Sequence, residues 1–244
     1  MNLNLITPDW PAPEKVKTLV TTREKGVSQG IYHGLNLGDH VGDSWVDVAQ
    51  NRTLVREALP SEPHWLKQLH GTAVAYADQL KEQVEADAAV ATQVNTICAV
   101  LTADCLPVLF CATDGSVVGA AHAGWRGLAA GVLEQTVEVM AHPPARIMAW
   151  FGPAIGPAAF EVGSEVRQAF VDDLPQAASA FRAGKAGKWM ADIYQLARLR
   201  LERIGVTRVY GGDLCTYSDA ARFYSYRRDG MTGRMGSLIW IAGR

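Results

Sequence analysis

One cysteine and two histidines are the residues of this chain whose types best suit chemistry. Cys105 sits inside the polar turn Thr102-Ala103-Asp104-Cys105-Leu106-Pro107. His122 lies 17 residues further on and opens the run His122-Ala123-Gly124-Trp125-Arg126-Gly127. His70 lies 35 residues upstream of the cysteine, in Gln68-Leu69-His70-Gly71. Zinc and copper both accept thiolate sulfur and imidazole nitrogen, and a catalytic zinc takes three protein ligands and keeps one position open. His70, Cys105 and His122 meet that demand as a set. The spacing is no local motif, but each residue stands where an apolar run ends beside glycine or proline. A second chemistry uses the same residues, with Cys105 as nucleophile and His122 or His70 as its base. A metal-bound thiolate is not free to attack, so the two readings compete, and an ordinary core or loop role stands beside both. Spacing leaves all three open.

The neighbours of these residues are candidates in turn. Asp104 either fixes a ligand histidine through its second nitrogen or caps the turn. Gly124 and Gly127 permit close backbone approach. A helix starting near Gly127 would point free N–H groups at the site and hold an anion there, and Arg126 would add a bidentate contact or else sit in a surface ion pair. Trp125 is a pocket wall or plain core. Asn36, Asp43, Asn51 and Arg52 are further pocket candidates, against ordinary loop roles for the first two and a solvated helix position for Arg52. Tyr224, Tyr226, Arg227 and Arg228 mix rings and charge, as a base and phosphate would require, and are also the pattern of an edge strand. His33 and His40 flank a glycine-rich loop near a substrate; His64 and His142, beside prolines, read as surface residues.

Short strands with tight turns must position this set. Ile97 to Leu101 and Pro107 to Cys111 read as buried strands on either side of the Cys105 turn, and Asp114-Gly115 turns the chain into a third at Val117 to Ala121. Further strands are expected at Val16 to Thr21, Trp65 to Gln68, Ile147 to Phe151, Val206 to Tyr210 and Leu238 to Ile241. Ser44 with Asp47 opens a helix that runs to about Leu59. A second runs from Gly127 to about Met140, with Leu128, Val132, Leu133 and Thr136 at helical spacing, and ends at Pro143-Pro144. Others cover Ser164 to Phe170 and, opened by Asp192 with Gln195, the stretch to Gly205. Residues 172–188 read as a surface excursion, and residues 1–15, with three prolines, as an extended arm. The sum is a single α/β domain over residues 1–244, a layered sandwich with mixed, largely antiparallel sheets. GxGxxG and GxxxxGK are absent, so a Rossmann fold has no support.

Of 244 residues, 48% are hydrophobic and 20% charged, and the formal net charge is -2. No basic block is present, so nucleic acid is not an expected partner. No apolar stretch reaches the ~18 residues of a membrane span, and MNLNLITPDWPAP lacks the form of a secretory signal. The expectation is a cytoplasmic, reducing location, a small-molecule substrate and a monomer or weak homodimer. Four cysteines in a chain this long are not a disulfide framework, and Cys98 and Cys111 read as small buried hydrophobes.

These motifs resemble a known family, the YfiH-like group, also called the multicopper polyphenol oxidase (laccase) domain family, which includes purine nucleoside phosphorylases. The matching pieces are Leu35-Asn36-Leu37-Gly38 with Gly42-Asp43, Asn51-Arg52, Gln68-Leu69-His70-Gly71, the Cys105 turn and the run from His122 to Gly127. Gly152-Pro153-Ala154-Ile155-Gly156-Pro157, Phe160-Glu161-Val162-Gly163 and Tyr226-Arg227-Arg228-Asp229 complete the series in order along nearly the whole chain. The resemblance implies an α/β sandwich unlike cupredoxin, with one metal, zinc before copper, on His70, Cys105 and His122. Some members carry a cysteine near Pro157; Ala158 and Ala159 stand there here, so no second thiol is expected in that loop. The implied activity is phosphorolysis of adenosine, inosine, guanosine and methylthioadenosine, with deamination of adenosine. Alternatives are removal of a wrongly added amino acid from a nucleotide-linked muramyl peptide, copper-dependent polyphenol oxidation, and a zinc-stabilised binding protein without catalysis. A multicopper oxidase needs many histidines; six are present, so oxidation ranks last.

Overall fold

A computed structural model describes residues 3–243. Met1, Asn2 and Arg244, which the expected arm and domain include, lie outside the described residues. The chain runs through β1 (Leu5–Ile6), β2 (Val16–Thr21), α1 (Trp45–Arg56), β3 (Val74–Tyr76), β4 (Ala88–Ala91), β5 (Cys98–Thr102), β6 (Leu106–Ala112) and β7 (Val118–Ala123). It continues through α2 (Trp125–Ala130), α3 (Val132–Val139), β8 (Ile147–Phe151), β9 (Glu161–Gly163), α4 (Ser164–Val171), β10 (Phe181–Ala183) and β11 (Lys188–Ala191). The last elements are α5 (Ile193–Arg203), β12 (Arg208–Gly211), α6 (Tyr226–Asp229) and β13 (Met235–Ile241).

One sheet has the order β12-β8-β6-β7-β4-β3, a second β1-β2-β13-β5, and a small third β10-β11-β9. Pairing is antiparallel except for β12 with β8 and β3 with β4. The first two sheets stack face to face. Along β6, Leu106, Val108, Phe110 and Ala112 pack with residues of α3, α4 and α5, while Leu109 and Cys111 pack with Val20, Val100 and Ile239 of the second sheet. This is the period of two of a strand, with both faces apolar because both are covered. The other face of the second sheet, with Leu19, Ala99 and Leu238, is closed by Val55 of α1 and by Leu35 and Leu37. The architecture is thus a layered mixed α/β fold with largely antiparallel sheets, not a Rossmann fold and not a cupredoxin barrel.

The caps form as their residue types require. Ser44 accepts from the Asp47 amide at 3.4 Å and Asp192 from the Gln195 amide at 3.0 Å. Several boundaries differ from the expectation. The helix expected to begin at Gly127 begins at Trp125 and is broken at Gly131, whose φ of 100° is left-handed, into α2 and α3. Helix α1 stops at Arg56 rather than Leu59. Trp65 to Gln68 is no strand: Gln68 instead bonds both the Leu101 amide (2.7 Å) and carbonyl (2.8 Å) through its side chain. Residues 172–188 are not a mere surface excursion, since Ala177, Ala180 and Phe181 are core residues. Tyr226 to Asp229 forms a short helix, not an edge strand. Within residues 3–13 no helix forms, but Leu5 and Ile6 pair with Thr21 and Val20, and Asp9 accepts from Trp150 Nε1 at 3.1 Å. Cys98 and Cys111 are fully buried as expected. Among the described residues no helix is long and apolar enough to cross a membrane.

Candidate metal centre and active-site cavity

Cys105 stands where the chain leaves β5 in one sheet and enters β6 in the other. The register of β6 on β7 pairs Leu106 with Ala123 and Pro107 with His122, so strand pairing alone brings Cys105 alongside His122 and Gly124. His70 arrives from the loop before β3. One donor atom from each of His70, Cys105 and His122 lies within 4.8 Å of the others. Cys105 Sγ is 3.7 Å from His70 Nε2, and the two imidazoles meet edge to face with centroids 4.6 Å apart.

A residue that sequence reading passed over organises this cluster. Asp87 is buried just before β4. Its Oδ1 accepts from His122 Nδ1 at 2.8 Å and from the His70 amide at 2.9 Å. Its Oδ2 accepts from the amides of Gly71 at 2.6 Å and Leu69 at 3.2 Å. One carboxylate therefore holds the Nδ1 proton of one histidine and the backbone of the other, which turns His122 Nε2 toward the cluster. The signal was present: an aspartate within the apolar run from Ala86 to Val90 is a buried charge that needs a partner. Asp104 does not orient a histidine. It adopts φ 89°, and its carboxylate accepts from Thr216 Oγ1 at 2.6 Å and the Arg227 amide at 2.7 Å. It ties the Cys105 turn to the C-terminal segments. His70 is also left-handed, at φ 62°, a conformation that costs a non-glycine residue about 1–2 kcal/mol and is offset here by the Asp87 bonds.

Electrostatics favour the ligand form of the cysteine. Burial raises the Cys105 thiol, but the charge of His122 and the hydrogen bonds from His122 and His70 outweigh it and hold the thiol below its ordinary range. Burial lowers His122, and Cys105 and Asp87 outweigh it and hold the imidazole high. Burial raises Asp87, and its bonds to His122 and to the Gly71 and His70 amides bring it below the usual aspartate range. The buried Cys98 has no such partner, and desolvation drives its thiol up.

Helix α2 packs against the donors because Gly124 and Gly127 have no side chains. A Cβ on Gly124 would lie 2.6 Å from His70 Cδ2 and 3.1 Å from Cys105 Sγ; one on Gly127 would lie 2.6 Å from the Gly71 carbonyl oxygen. With only six residues, α2 is too short to build the anion-binding end that was expected of it, because the dipole sums over aligned peptides.

The donor set suits one zinc or copper ion with a position left for substrate or water. Among the described residues a single such cluster exists and no fourth donor joins it, so it fits one ion rather than several coppers. The cluster lies in a cavity of about 460 Å³. Leu101, Ile155, Phe160, Trp125 and Tyr226 form its apolar and aromatic walls, Arg126, Arg227 and Arg234 bring positive charge to it, and His40 lies at its wall.

Of the residues expected near a substrate, Arg126, Tyr226 and Arg227 thus line the cavity. Arg126 stacks on Trp125 at 4.4 Å, and Arg227 bonds the Ala159 and Glu161 carbonyls and lies over Phe160. Asn36, Asp43 and Arg52 do not line it. Asn36 bonds Asp43 and the Gly38 backbone, while Arg52 bonds the Leu37 carbonyl, pairs with Asp39 and covers Trp65. His40 joins the wall as expected, whereas Gln68 and Arg234 join it unforeseen. A second thiol does approach the loop at Pro157: Cys215 Sγ accepts from the Gly156 amide at 3.2 Å, from a segment 58 residues beyond Pro157.

Comparison with known proteins shows the family of the chain. Residues 17–242 match the family described as Multi-copper polyphenol oxidoreductase laccase. The chain is 54% identical over 237 residues to a Pseudomonas aeruginosa protein named purine nucleoside phosphorylase, covering 97% of this chain and 98% of that one. It is 52% identical over 245 residues to the Escherichia coli protein named purine nucleoside phosphorylase YfiH, covering 97% and 98%. The crystal structure of a Neisseria meningitidis protein superposes with a TM-score of 0.95 at 54% identity, over 98% of this chain and 100% of that one. That of YlmD from Geobacillus stearothermophilus gives 0.82 at 32% identity, over 94% and 93%. Extent, identity and shared fold together make the chain a member of the YfiH-like enzyme family, the group to which these purine nucleoside phosphorylases belong.

Proposed function

We propose that this protein cleaves purine nucleosides with inorganic phosphate and also deaminates adenosine. The observation that carries the proposal is the three-donor cluster of His70, Cys105 and His122, which opens into a cavity with both aromatic and cationic walls. In phosphorolysis a phosphate oxygen forms a bond to C1′ of the ribose as the C1′–N9 bond breaks. The purine leaves with the electron pair and takes up a proton, giving free base and ribose 1-phosphate. His70, Cys105 and His122 would hold a zinc ion, which would supply Lewis acidity to the reaction. Asp87 keeps the proton of His122 on Nδ1, so that this imidazole stays a donor rather than a general acid. Phe160, Ile155 and Tyr226 give the cavity an apolar and aromatic wall of the kind a purine ring packs against. Arg126, Arg227 and Arg234 line the same cavity, so a phosphate entering it meets positive charge. In the deamination water replaces phosphate as the nucleophile: its oxygen bonds to C6 of the adenine ring and the bond from C6 to the 6-amino group breaks. One water proton leaves with that nitrogen as ammonia and the other stays on the product, giving inosine. Polyphenol oxidation by several coppers finds no donors beyond this one cluster among the described residues.

The test is a product panel. Zinc-loaded protein is incubated with adenosine, with and without phosphate. Adenine with ribose 1-phosphate supports phosphorolysis, and inosine supports deamination. Release of an amino acid from a nucleotide-linked muramyl peptide, with adenosine untouched, would replace the proposal by the amidase reading.

A further inference from the structure

Resting on the phosphorolysis reading, we infer that Arg234 is the residue that binds the phosphate co-substrate, and that the Asn36–Asp43 loop exists to position it. Arg234 lies in the wall of the cavity that holds the His70–Cys105–His122 cluster. Its side chain is half-buried, and among the described residues no carboxylate lies within ion-pair distance of its guanidinium. Arg52, Arg56, Arg200, Arg203, Arg222 and Arg228 all have such a partner. The bonds of Arg234 go to carbonyl oxygens alone, from one terminal nitrogen to Thr232 (2.8 Å) and Gly233 (3.0 Å), so the other terminal nitrogen and Nε remain to form a fork. A half-buried cation with no carboxylate in ion-pair contact lacks a direct counter-ion, and a planar guanidinium fork is the group best matched to phosphate oxygens.

The other basic side chains of the cavity are less suited. Arg126 is exposed and lies on Trp125, Arg227 is exposed and tied to two carbonyls, and His40 sits 3.3 Å from Asp39. Arg234 is instead held in place by a buried network. Asn36 Oδ1 accepts from the Arg234 amide at 2.8 Å, and the Leu37 amide donates to the Arg234 carbonyl at 3.1 Å. Asn36 Nδ2 donates to Asp43 at 2.8 Å, and Asp43 also accepts from Ser28 at 2.6 Å. A Cβ on Gly38 would lie 2.8 Å from Arg234 Cγ, so glycine there leaves the room in which the arginine stem lies. Asn36 and Asp43 are thus positioning residues that act through Arg234.

The test titrates inorganic phosphate into zinc-loaded protein by calorimetry, beside zinc content and initial rates at varied phosphate and varied adenosine. In Arg234→Met phosphate binding should weaken at least tenfold and the KM for phosphate rise in step, with zinc content and the KM for adenosine unchanged. Arg234→Lys, which keeps the charge but loses the fork, should fold even if the methionine variant does not and should weaken phosphate binding severalfold. Unchanged phosphate affinity in either variant overturns the inference, as does a wild type that does not bind phosphate or a loss of zinc that parallels the loss of phosphate. The two readings separate cleanly. Phosphate bound through Arg234 without nucleoside cleavage keeps the site and removes phosphorolysis. Cleavage with an unaltered phosphate KM in both variants does the reverse.

Discussion

Replacing Asp87 by asparagine tests whether one carboxylate organises the metal centre. Asp87 accepts four hydrogen bonds, two on each oxygen: His122 Nδ1 and the His70 amide on one, the Leu69 and Gly71 amides on the other. Asparagine has a single acceptor atom, and its amide nitrogen brings two more donors. Whichever way the amide turns, two of the four N–H groups face a donor. An unsatisfied buried donor costs about 1–3 kcal/mol, so the substitution should destabilise the protein by about 2–6 kcal/mol. If the amide nitrogen faces His122, the imidazole escapes only by moving its proton to Nε2, which removes the lone pair turned toward Cys105. Loss of such an orienting partner typically lowers metal affinity by about 10–100-fold. The assays are zinc competition against a chromophoric chelator and thermal melts of the metal-free protein, where the Tm should fall by at least ~4 °C. The pH dependence follows from the direction of the shift. The folded Asp87 titrates below the ordinary aspartate range, so its contribution is fully present above about pH 4 and fades as pH falls through the folded value. The stability gap between wild type and D87N should hold from neutral pH to about 5 and close in stronger acid. A D87N protein with wild-type zinc affinity and Tm at pH 7 would refute the reasoning.

Other expectations follow from the same geometry. Gly124→Ala should leave the fold intact but lower zinc affinity at least ~10-fold, because the new methyl meets two of the three donors; a zinc titration equal to wild type would show that α2 shifts without disturbing the cluster. Cys105→Ala should abolish zinc binding and nucleoside cleavage together, and retained cleavage would remove Cys105 from the ligand set. In metal-free protein Cys105 should be alkylated at a lower pH than an ordinary thiol, since its neighbours favour the thiolate, and zinc should protect it. Peptide mapping checks this, with the buried Cys98 and Cys111 expected to stay unmodified in the folded protein. Phe160→Ala should raise the KM for adenosine more than the KM for phosphate, and an equal effect on both would argue against its place in the wall that packs on the purine.

The sequence by itself determined the layered α/β character, because the apolar runs and the turn and cap residues are local signals that tertiary packing did not override. It also singled out the three donors by type and by their places at the ends of apolar runs. What it missed has one physical cause: partnerships between distant residues have no local signature. Asp87 looked like part of an apolar strand until the fold set it beside His122, 35 residues away. Asp104 was chosen for the same task because it neighbours Cys105 in sequence, yet its φ turns its carboxylate toward Thr216 and Arg227. Gly131 divided a continuous helical pattern because its left-handed backbone stops one helix and starts the next. Asn36 and Asp43 drew notice as polar residues in a glycine-rich loop, but only the pairing of that loop with the entry to β13 showed that they hold Arg234. Residue types chose the donors. Only the crossing of the chain from one sheet to the other, which no short-range signal encodes, could bring them to one point and line the cavity around them.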